Sequence, residues 1–591
     1  MNTKQKVIII LLFNLLIFLP LNSWSAIQLI AAVGQPAEDF PSGFIYSDIR
    51  TRDAALGSSG HVAFWGIADT NDGSTGNRTN VVWSGLPGQL KAIIKENESP
   101  EGFQENVLFE GTLVNEVIVN RSGDVAFFAT MKGAATGQAL LLYRSGGNTQ
   151  GVLMLGSQAP GFSPGINVIR IDDFSFSEAG MVISAIVGGN NFGGLATWFY
   201  DFENLTLLTS PVPGCDYISI SNINDSGVIA FSGIYDKGCD IGGRVDNYKW
   251  FNGQWERLIS GGESGVPNMA DTFFTLPGVP LINDQGGVAF STTMADLSSG
   301  RGYGIWVIDE TDVLKLTIFG GELLANNSGV ISPFTNFFNT TSSVFTNDNF
   351  FITTVHTSNG NNDTLLAGFP KNTQPYTSLR DINGTSQLTV VAQLNQRPPG
   401  FESTWFYKEL GESLAINRTG QFIFAGTVSD ATTGKQDIAF WRADKDNINP
   451  RLKVIDQMKI TINGEEHAMQ INRANFIDTS MTIGGKASRF SDNGHFLFDG
   501  NYSGIQALFL LLDDNKEQRI FSLAEQKFPQ FFSPANVEDR LIEGFEYRFY
   551  PNTNTYIGIK NNVVFVLGDV FGPGLRRIGT IDETLQVLEG S

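Results

Sequence analysis

Hydrophobic and polar positions follow one short pattern along the chain: a polar turn with a glycine, then alternating apolar residues. Clear copies are "NRSGDVAF" (120–127), "NDSGVIAF" (224–231) and "NDQGGVAF" (283–290). Asn, Ser or Asp at the first position can bond back to the nearby backbone, and the glycine three residues later accepts a positive φ. The x-Val-Ala-Phe segment alternates its sides as a β-strand does. The pattern predicts a tight turn that leads into a buried strand.

Nine copies of this pattern align on the turn glycine or its equivalent. These positions are 60, 123, 180, 227, 286, 349, 420, 494 and 561. The steps between them run from 47 to 74 residues, and the copies at 349 and 561 are degenerate. Such spacing indicates one structural unit repeated in tandem.

Each unit also carries other short apolar runs with turn signals between them, and none has a helical period. A second strand ends in an aromatic residue at Trp83, Tyr143, Trp198, Trp250, Trp306 and Trp441. Pro-Gly segments such as "APGF" (159–162) and "PPGF" (398–401) mark a turn or crossover.

Units of about four strands and roughly 60 residues predict an all-β fold. The fold that we expect is a β-propeller of about eight or nine four-stranded repeat units. A ring closed by eight units is one option, in which the remaining unit is shared between the two termini or left as an appendage. An open β-solenoid and a string of sandwiches are the alternative architectures.

The N-terminus has the layout of a secretory signal. Lys4 and Lys6 precede an apolar run from Val7 to Leu19, which is followed by Pro20 and small residues. This run is shorter than the roughly 20 residues that span a bilayer. We expect residues 1–25 to be a signal peptide, cleaved after Ser25 or Ala26, and residues 27–591 to form a single repeat-built domain. The protein would then be secreted, periplasmic or associated with the cell surface, with no membrane span after signal removal.

The net charge bears on the class of binding partner, and the cysteine content bears on the cellular compartment. The net charge of −21 repels nucleic-acid phosphates, so we expect no nucleic-acid partner. Cys215 and Cys239 are the two cysteines, and in an oxidising compartment they predict a disulfide. Their midpoint is the turn residue Gly227, and residues equally far from a hairpin turn face one another. Two unrelated buried thiols are the alternative.

The quoted turn segments resemble the NxxGxxAF tandem-repeat family of bacterial exported proteins, whose members carry various surface-sorting (choice-of-anchor) tails. The resemblance covers residues 27–591, and five to seven of the nine copies fit it well. It implies export and repetition and brings no set of catalytic residues. The tail "TLQVLEGS" has no recognisable anchor.

Motifs that carry chemistry are scarce. His61, His356, His467 and His495 lack metal-ligand spacing, and we find no GxSxG elbow, P-loop or Rossmann glycine pattern in a suitable context. We therefore predict no catalytic, cofactor-binding or metal residue. A structural calcium ion is a weaker alternative in two oxygen-rich segments, "DTNDGSTGN" (69–77) and "DKDNIN" (444–449), although neither matches the calcium-loop pattern.

The recurring tryptophans Trp83, Trp198, Trp306 and Trp441 are interpreted as packing between units rather than as a sugar-stacking surface. Binding specificity is expected in segments that differ between units, such as "GNNFGG" and "NTTSSVFTND". We favour a monomeric, non-enzymatic exported scaffold that presents loops to an extracellular glycan or protein ligand. A carbohydrate-active hydrolase or lyase with its site at the central channel is the second hypothesis, and a structural surface or matrix component is the third.

Overall fold

The protein is described by a computed structural model over most of its length. The described residues are 27–70, 77–189, 192–209, 217–235, 244–297, 300–326, 328–332, 343–357, 363–370, 379, 384–462, 465–471, 488–512, 538–542, 545–550, 555–560, 563–568, 575–581 and 587–589.

These residues form β-strands joined by turns, without a helix. The strands of the first four repeat units and the strand before them are β1 (Ile27–Ala32), β2 (Phe44–Leu56), β3 (Val62–Thr70), β4 (Thr79–Gly85), β5 (Lys91–Lys95), β6 (Val107–Val119), β7 (Val125–Gly133), β8 (Gly137–Tyr143), β9 (Thr149–Met154), β10 (Asn167–Ser177), β11 (Gly180–Gly189), β12 (Phe192–Tyr200), β13 (Leu205–Leu208), β14 (Tyr217–Ile223), β15 (Ile229–Tyr235), β16 (Val245–Phe251) and β17 (Gln254–Ser260).

The next three units and the segment that follows them contain β18 (Thr272–Pro277), β19 (Leu281–Ile282), β20 (Val288–Asp296), β21 (Arg301–Ile308), β22 (Leu314–Phe319), β23 (Ser343–Phe345), β24 (Phe351–His356), β25 (Asp363–Gly368), β26 (Thr389–Gln393), β27 (Trp405–Ile416), β28 (Gln421–Asp430), β29 (Gln436–Asp444), β30 (Arg451–Ile455), β31 (Lys459–Ile462), β32 (Glu465–Ile471), β33 (Phe496–Tyr502) and β34 (Ile505–Leu511). The C-terminal strands are β35 (Glu538–Ile542), β36 (Phe545–Tyr550), β37 (Thr555–Lys560), β38 (Val563–Gly568), β39 (Leu575–Ile581) and β40 (Val587–Glu589).

Eight small antiparallel sheets stand in a ring, which confirms the predicted β-propeller. Blades 1 to 7 follow the chain, as β2–β5, β6–β9, β10–β13, β14–β17, β18–β22, β23–β26 and β27–β30. Blade 8 takes β32, β33 and β34 from the far end of the ring and β1 from the N-terminus as its outermost strand. The ring is therefore closed by hydrogen bonds between distant parts of the chain, including one from Val33 N to Gln506 O at 3.0 Å. Such closure leaves neither end of the ring as an open sheet edge.

The predicted turn chemistry is confirmed at the first hairpin of every blade. The glycines of this turn all have positive φ: Gly60, Gly123, Gly180, Gly227, Gly286, Gly420 and Gly494. In blade 6 the position is occupied by Asn349, which adopts φ 64°. Asparagine is among the few other residues that tolerate this conformation, so the degenerate sixth copy still makes the turn.

The core lies between the blades rather than in one centre. Along β3, Phe64 packs with residues of blade 8, whereas its neighbours Ala63 and Trp65 pack with residues of blade 2. Successive side chains of a strand point to opposite faces of its sheet, so each blade buries both faces against its neighbours. The small residue of the Val-Ala-Phe segment is fully buried at Ala63 and Ala126, where it allows close packing.

The chain groups into two compact units, and the single repeat-built domain over residues 27–591 stays a prediction. The larger unit, residues 29–457 and 469–513, holds the ring. The smaller unit comprises residues 1–28, 458–468 and 514–591. Its described part contains β31, the residues of β32 up to Ala468, and a six-stranded sheet in the order β35 to β40. The described residues of the ninth repeat copy, 558–560 and 563–565, lie in this sheet. Within the described residues, no helix is long and apolar enough to cross a bilayer.

Candidate functional site

The eight repeat turns lie at one end of the ring, which we call the turn face. In blades 1 to 7 each turn connects the first strand, or β19 in blade 5, to the next strand of its blade, and first strands of neighbouring blades such as β2 and β6, β10 and β14, and β23 and β27 contact one another at the inner edge of the ring. The turns therefore surround one mouth of the central channel. Their four positions are numbered one to four, so that the glycine or its equivalent is position four.

Position one organises the turn and also binds the next blade. In blade 4, Asn224 Oδ1 accepts hydrogen bonds from the backbone N of Ser226 at 3.1 Å and of Val228 at 2.8 Å. Its Nδ2 donates to the carbonyl of Asn283, the first turn residue of blade 5, at 2.9 Å. Asn283 and Asn417 repeat this arrangement toward blades 6 and 8. The asparagine predicted to start the turn therefore also joins neighbouring blades.

Position two links the turns through its side chain. Asp284 Oδ1 accepts from the backbone N of Asp225 at 3.4 Å, and Asn347 Oδ1 accepts from that of Asp284 at 2.9 Å. Asp492 Oδ1 likewise accepts from the backbone N of Arg418 at 3.2 Å. The sequence reasoning missed this role. The signal for it was the acidic residue that recurs at position two in "SEAG", "NDSG", "NDQG" and "SDNG".

Arg418, at position two of blade 7, holds carboxylates from three other blades. Its Nη2 lies 2.8 Å from Asp225 Oδ2, its Nε 2.5 Å from Asp284 Oδ2, and its Nη1 3.2 Å from Asp492 Oδ2. These residues belong to blades 4, 5 and 8, so the guanidinium reaches across the channel mouth. All four side chains are largely buried. Burial by itself would lower the pKa of Arg418, but the three carboxylates raise it above its ordinary value.

Apolar residues lie beneath this cluster. The cavity at the channel mouth is lined by the four charged side chains together with Val119, Phe176, Ile223 and Phe490. Val119 and Ile223 end β6 and β14, and Phe176 is the next-to-last residue of β10, so each of the three directly precedes its turn. The charged cluster therefore lies next to an apolar layer, and its four side chains are joined by ion pairs at the turn face.

Farther from the turns, the first strands of blades 1, 2 and 7 are irregular. In blade 1, residues 51–54 stand opposite one residue of β3, because Arg50 pairs with Trp65 and Ala55 with Ala63. Residues 110–113 and 411–413 interrupt β6 and β27 in the same way. A second irregularity in β6 contains Glu116, whose φ is 51°. Bulges of this kind re-aim side chains and are frequent beside binding and catalytic sites.

The first strands, which lie at the inner edge of the blades, also carry exposed side chains, which we call the channel belt. It contains aliphatic residues of blades 2, 3 and 5 and cations of blades 1, 3 and 7: Leu113, Ile169, Leu276, Arg50, Arg170 and Lys408. Leu113 is 55% exposed and Leu276 is 44% exposed. Arg50 is paired with Asp48 at 3.0 Å, and Arg170 with Asp172. The belt therefore mixes apolar groups with charged pairs.

The recurring tryptophans are core residues, as predicted. Trp83, Trp198, Trp306 and Trp441 each have no exposed surface. Trp198 Nε1 donates to the carbonyl of Pro160 at 2.9 Å, and Trp441 donates to that of Pro399 at 3.0 Å. Both acceptors lie in Pro-Gly segments, so the tryptophan fixes the crossover between blades. In blade 4 the equivalent place, opposite Phe231, is taken by Tyr248.

The histidines are dispersed. His61 contacts Ser59 Oγ through Nδ1 at 2.9 Å, and burial lowers the pKa of its ring. His356 ends β24 and is exposed, while His467 lies 3.9 Å from Glu465 in the smaller unit. Over the part of the chain that the structure describes, no group of three His, Cys, Asp or Glu side chains has the arrangement of a metal site.

Three sequence predictions remain largely untested. In "DKDNIN", Asp444 Oδ1 accepts from the backbone N of Asp446 at 3.0 Å and of Asn447 at 2.7 Å, the bonding of an ordinary Asx turn. Most of the other calcium candidate, residues 69–77, lies outside the described residues, as do Cys215, Cys239 and the signal segment 1–25. The disulfide therefore stays a prediction.

The sequence matches one known protein family. The profile of one family, described as a family of unknown function (DUF7453), matches residues 16–204 and 208–504. The chain belongs to this family. No curated protein matches the sequence.

Solved structures that are similar include an oligogalacturonate lyase in complex with manganese, at 9% identity and a TM-score of 0.31, covering 78% of this chain and 99% of that one. The polysaccharide lyase Uly1 has 10% identity and a TM-score of 0.32, with 72% and 98% covered. A GH74 xyloglucanase from Xanthomonas campestris has 10% identity and a TM-score of 0.24, with 78% and 82% covered. At these values the resemblance gives no argument about the activity of this DUF7453 member.

Proposed function

We propose that this protein is exported and binds an extracellular glycan or protein ligand in its channel, entering from the end opposite the turn face. The observation that carries the proposal is the contrast between the two parts of the channel. At the turn face Arg418 holds three carboxylates in largely buried ion pairs, whereas the channel belt exposes aliphatic and charged groups on the first strands. Apolar surface with a few polar groups in a concave site is the usual composition of a ligand site.

Export is supported by the N-terminal segment, in which two lysines precede a short apolar run and small residues. An acidic protein with few lysines and arginines also suits an extracellular ligand better than a nucleic acid. Secretion would be tested by locating the protein in culture fractions and by sequencing the N-terminus of the mature chain. Cleavage after Ser25 or Ala26 is expected. A full-length protein that still carries residues 1–25 and is found only inside the cell would refute export.

The binding test uses the purified protein on a panel of soluble polysaccharides and extracellular proteins, with calorimetry on any ligand retained. Leu276→Asp changes an exposed belt residue, and Leu86→Asp is the matched control, because Leu86 is 38% exposed in a turn outside the channel. We expect L276D to weaken binding at least roughly tenfold, about 1.4 kcal/mol, while L86D leaves it unchanged. Equal affinities for the two variants would refute the channel as the site.

A second candidate function, a carbohydrate-active hydrolase or lyase, is favoured by the bulges. They place Glu110 and Glu116 of blade 2 and Asp53 of blade 1 on irregular parts of the first strands. Carboxylic acids are the usual acid and base of glycoside hydrolysis. Product release from the polysaccharide panel would be measured with Glu116→Gln and Glu110→Gln. Turnover that both variants retain in full would count against these residues.

A further inference from the structure

The cluster at the turn face holds more negative than positive charge. Three carboxylates of Asp225, Asp284 and Asp492 surround the single guanidinium of Arg418. Arg121 contributes a second cation, 3.4 Å from Asp492. Glu178 adds a fourth carboxylate, which accepts from the backbone N of Ser122 at 2.8 Å and from its hydroxyl at 2.5 Å. Four acids and two arginines thus meet at one mouth of the channel.

Asp225 is the carboxylate with the least favourable surroundings. Burial raises its pKa above the ordinary aspartate value, and the charges of Asp284 and Glu178 raise it further, against the opposing effect of Arg418. The backbone N of Glu178 donates to Asp225 Oδ1 at 3.4 Å, so blade 3 also packs against this group. The groups facing Asp225 therefore come from blades 3, 5 and 7, and Asp492 and Arg121 act on it through Arg418.

We propose that this cluster is a proton-sensitive lock that closes the turn face of the ring more firmly in mild acid than at neutral pH. One proton on Asp225 removes a repelling charge and keeps an oxygen that accepts from Arg418. The stability of the turn face should therefore increase as the pH falls from neutral into mild acid.

The direction of this pH dependence follows from the number of protons bound by the folded and the unfolded chain. A carboxyl group with a raised pKa in the folded protein keeps its proton at a pH where the unfolded chain has released it. The folded state then binds more protons, and stability decreases as the pH rises through this range. This dependence is opposite to that of a carboxylate whose pKa is lowered by a salt bridge, which is the more frequent case.

The experiment measures the thermal midpoint and the hydrogen exchange of the turn segments 224–228, 283–287 and 417–421, from about pH 8 down to the unfolded aspartate pKa of about 4. Exchange is corrected for its intrinsic pH dependence. The wild-type midpoint should rise toward mild acid, and protection of the three segments should increase roughly tenfold. Asp225→Asn removes the titrating group, so the midpoint of D225N should be insensitive over the range where the wild type rises.

A second test variant and a control variant accompany D225N. Glu178→Gln removes one repelling charge, so it should weaken the dependence even if D225N fails to fold. Asp309→Asn is the matched control, because Asp309 lies in an outer turn of blade 5 and contacts none of the cluster residues through the bonds of its carboxylate. D309N should keep the rise in protection. A wild-type midpoint that only falls with acid, or E178Q and D225N that keep the full rise, would overturn the proposal.

Discussion

Asn224 donates from Nδ2 to the backbone carbonyl of Asn283 at 2.9 Å, although 59 positions separate the two residues. Each is the first residue of its repeat turn, so the bond joins equivalent points of blades 4 and 5. One asparagine side chain thus bonds within its own turn through Oδ1 and to the next blade through Nδ2. The residue that a repeat pattern marks as a local turn former is also a contact between repeats.

This dual role predicts a large cost for Asn224→Ala. The substitution leaves the backbone N of Val228 without its partner in a buried region and removes one of the two donors to the carbonyl of Asn283, which keeps the bond from Gly286 N. We expect a loss of about 2–4 kcal/mol in the free energy of unfolding, measured by denaturant titration. Asn493→Ala is the control, because Asn493 occupies the exposed third turn position in blade 8, and it should change stability by less than about 0.5 kcal/mol. Equal costs would contradict the dual role.

Substitutions at two turn glycines distinguish the cost of backbone strain from the cost of a steric contact. Gly286 has φ 88° and open space around an added Cβ, so Gly286→Ala should cost about 1 kcal/mol through strain alone. Gly123 has φ 83°, and an added Cβ would meet the His61 ring at 2.8 Å. Gly123→Ala should therefore cost more, and His61→Ala should remove the excess in a double-mutant cycle. If G123A lowers the free energy of unfolding no more than G286A does, the His61 side chain moves away from the added Cβ at no measurable cost.

The buried tryptophans provide a second matched pair. Trp198 donates to the carbonyl of Pro160, whereas the buried Nε1 of Trp306 makes no hydrogen bond among the described residues. Trp198→Phe should then cost about 1–2 kcal/mol more than Trp306→Phe, because only the first leaves a carbonyl without its donor. Thermal or denaturant unfolding of the two variants measures the difference. A larger cost for W306F would refute this account of the Pro-Gly crossover.

Asp309 predicts an acid dependence of the ordinary sign. Burial tends to raise the pKa of its carboxyl, but bonds from Lys315, Thr311 and Val313 outweigh it and lower the pKa well below its usual range. Its stabilising contribution is present above the unfolded aspartate pKa and is lost as the pH falls through the folded value. Asp309→Asn should destabilise the protein by about 1–3 kcal/mol at neutral pH and by less in strong acid. A constant cost across the pH series would contradict this assignment.

Much of the fold was predictable because its causes are local. The turn depends on Asn224, Ser226, Gly227 and Val228, which lie within five residues, and the strand after it follows from simple alternation. The burial of the tryptophans also followed, since side chains that recur in every unit serve the packing that every unit shares. The site was less predictable. The belt residues Leu113 and Leu276 have no common sequence signal, and only the folded chain shows that both are exposed.

The sequence by itself determined a repeated four-stranded unit, its turn chemistry and its all-β character, because these depend on residues a few positions apart. The tertiary structure alone decided that eight units close the ring, that Ile27–Ala32 completes blade 8, and that the ninth copy lies in a different sheet. It also decided which carboxylates meet Arg418. The partners Asp225 and Asp284 lie 193 and 134 positions away, and only the curvature of a closed ring brings such residues to one guanidinium.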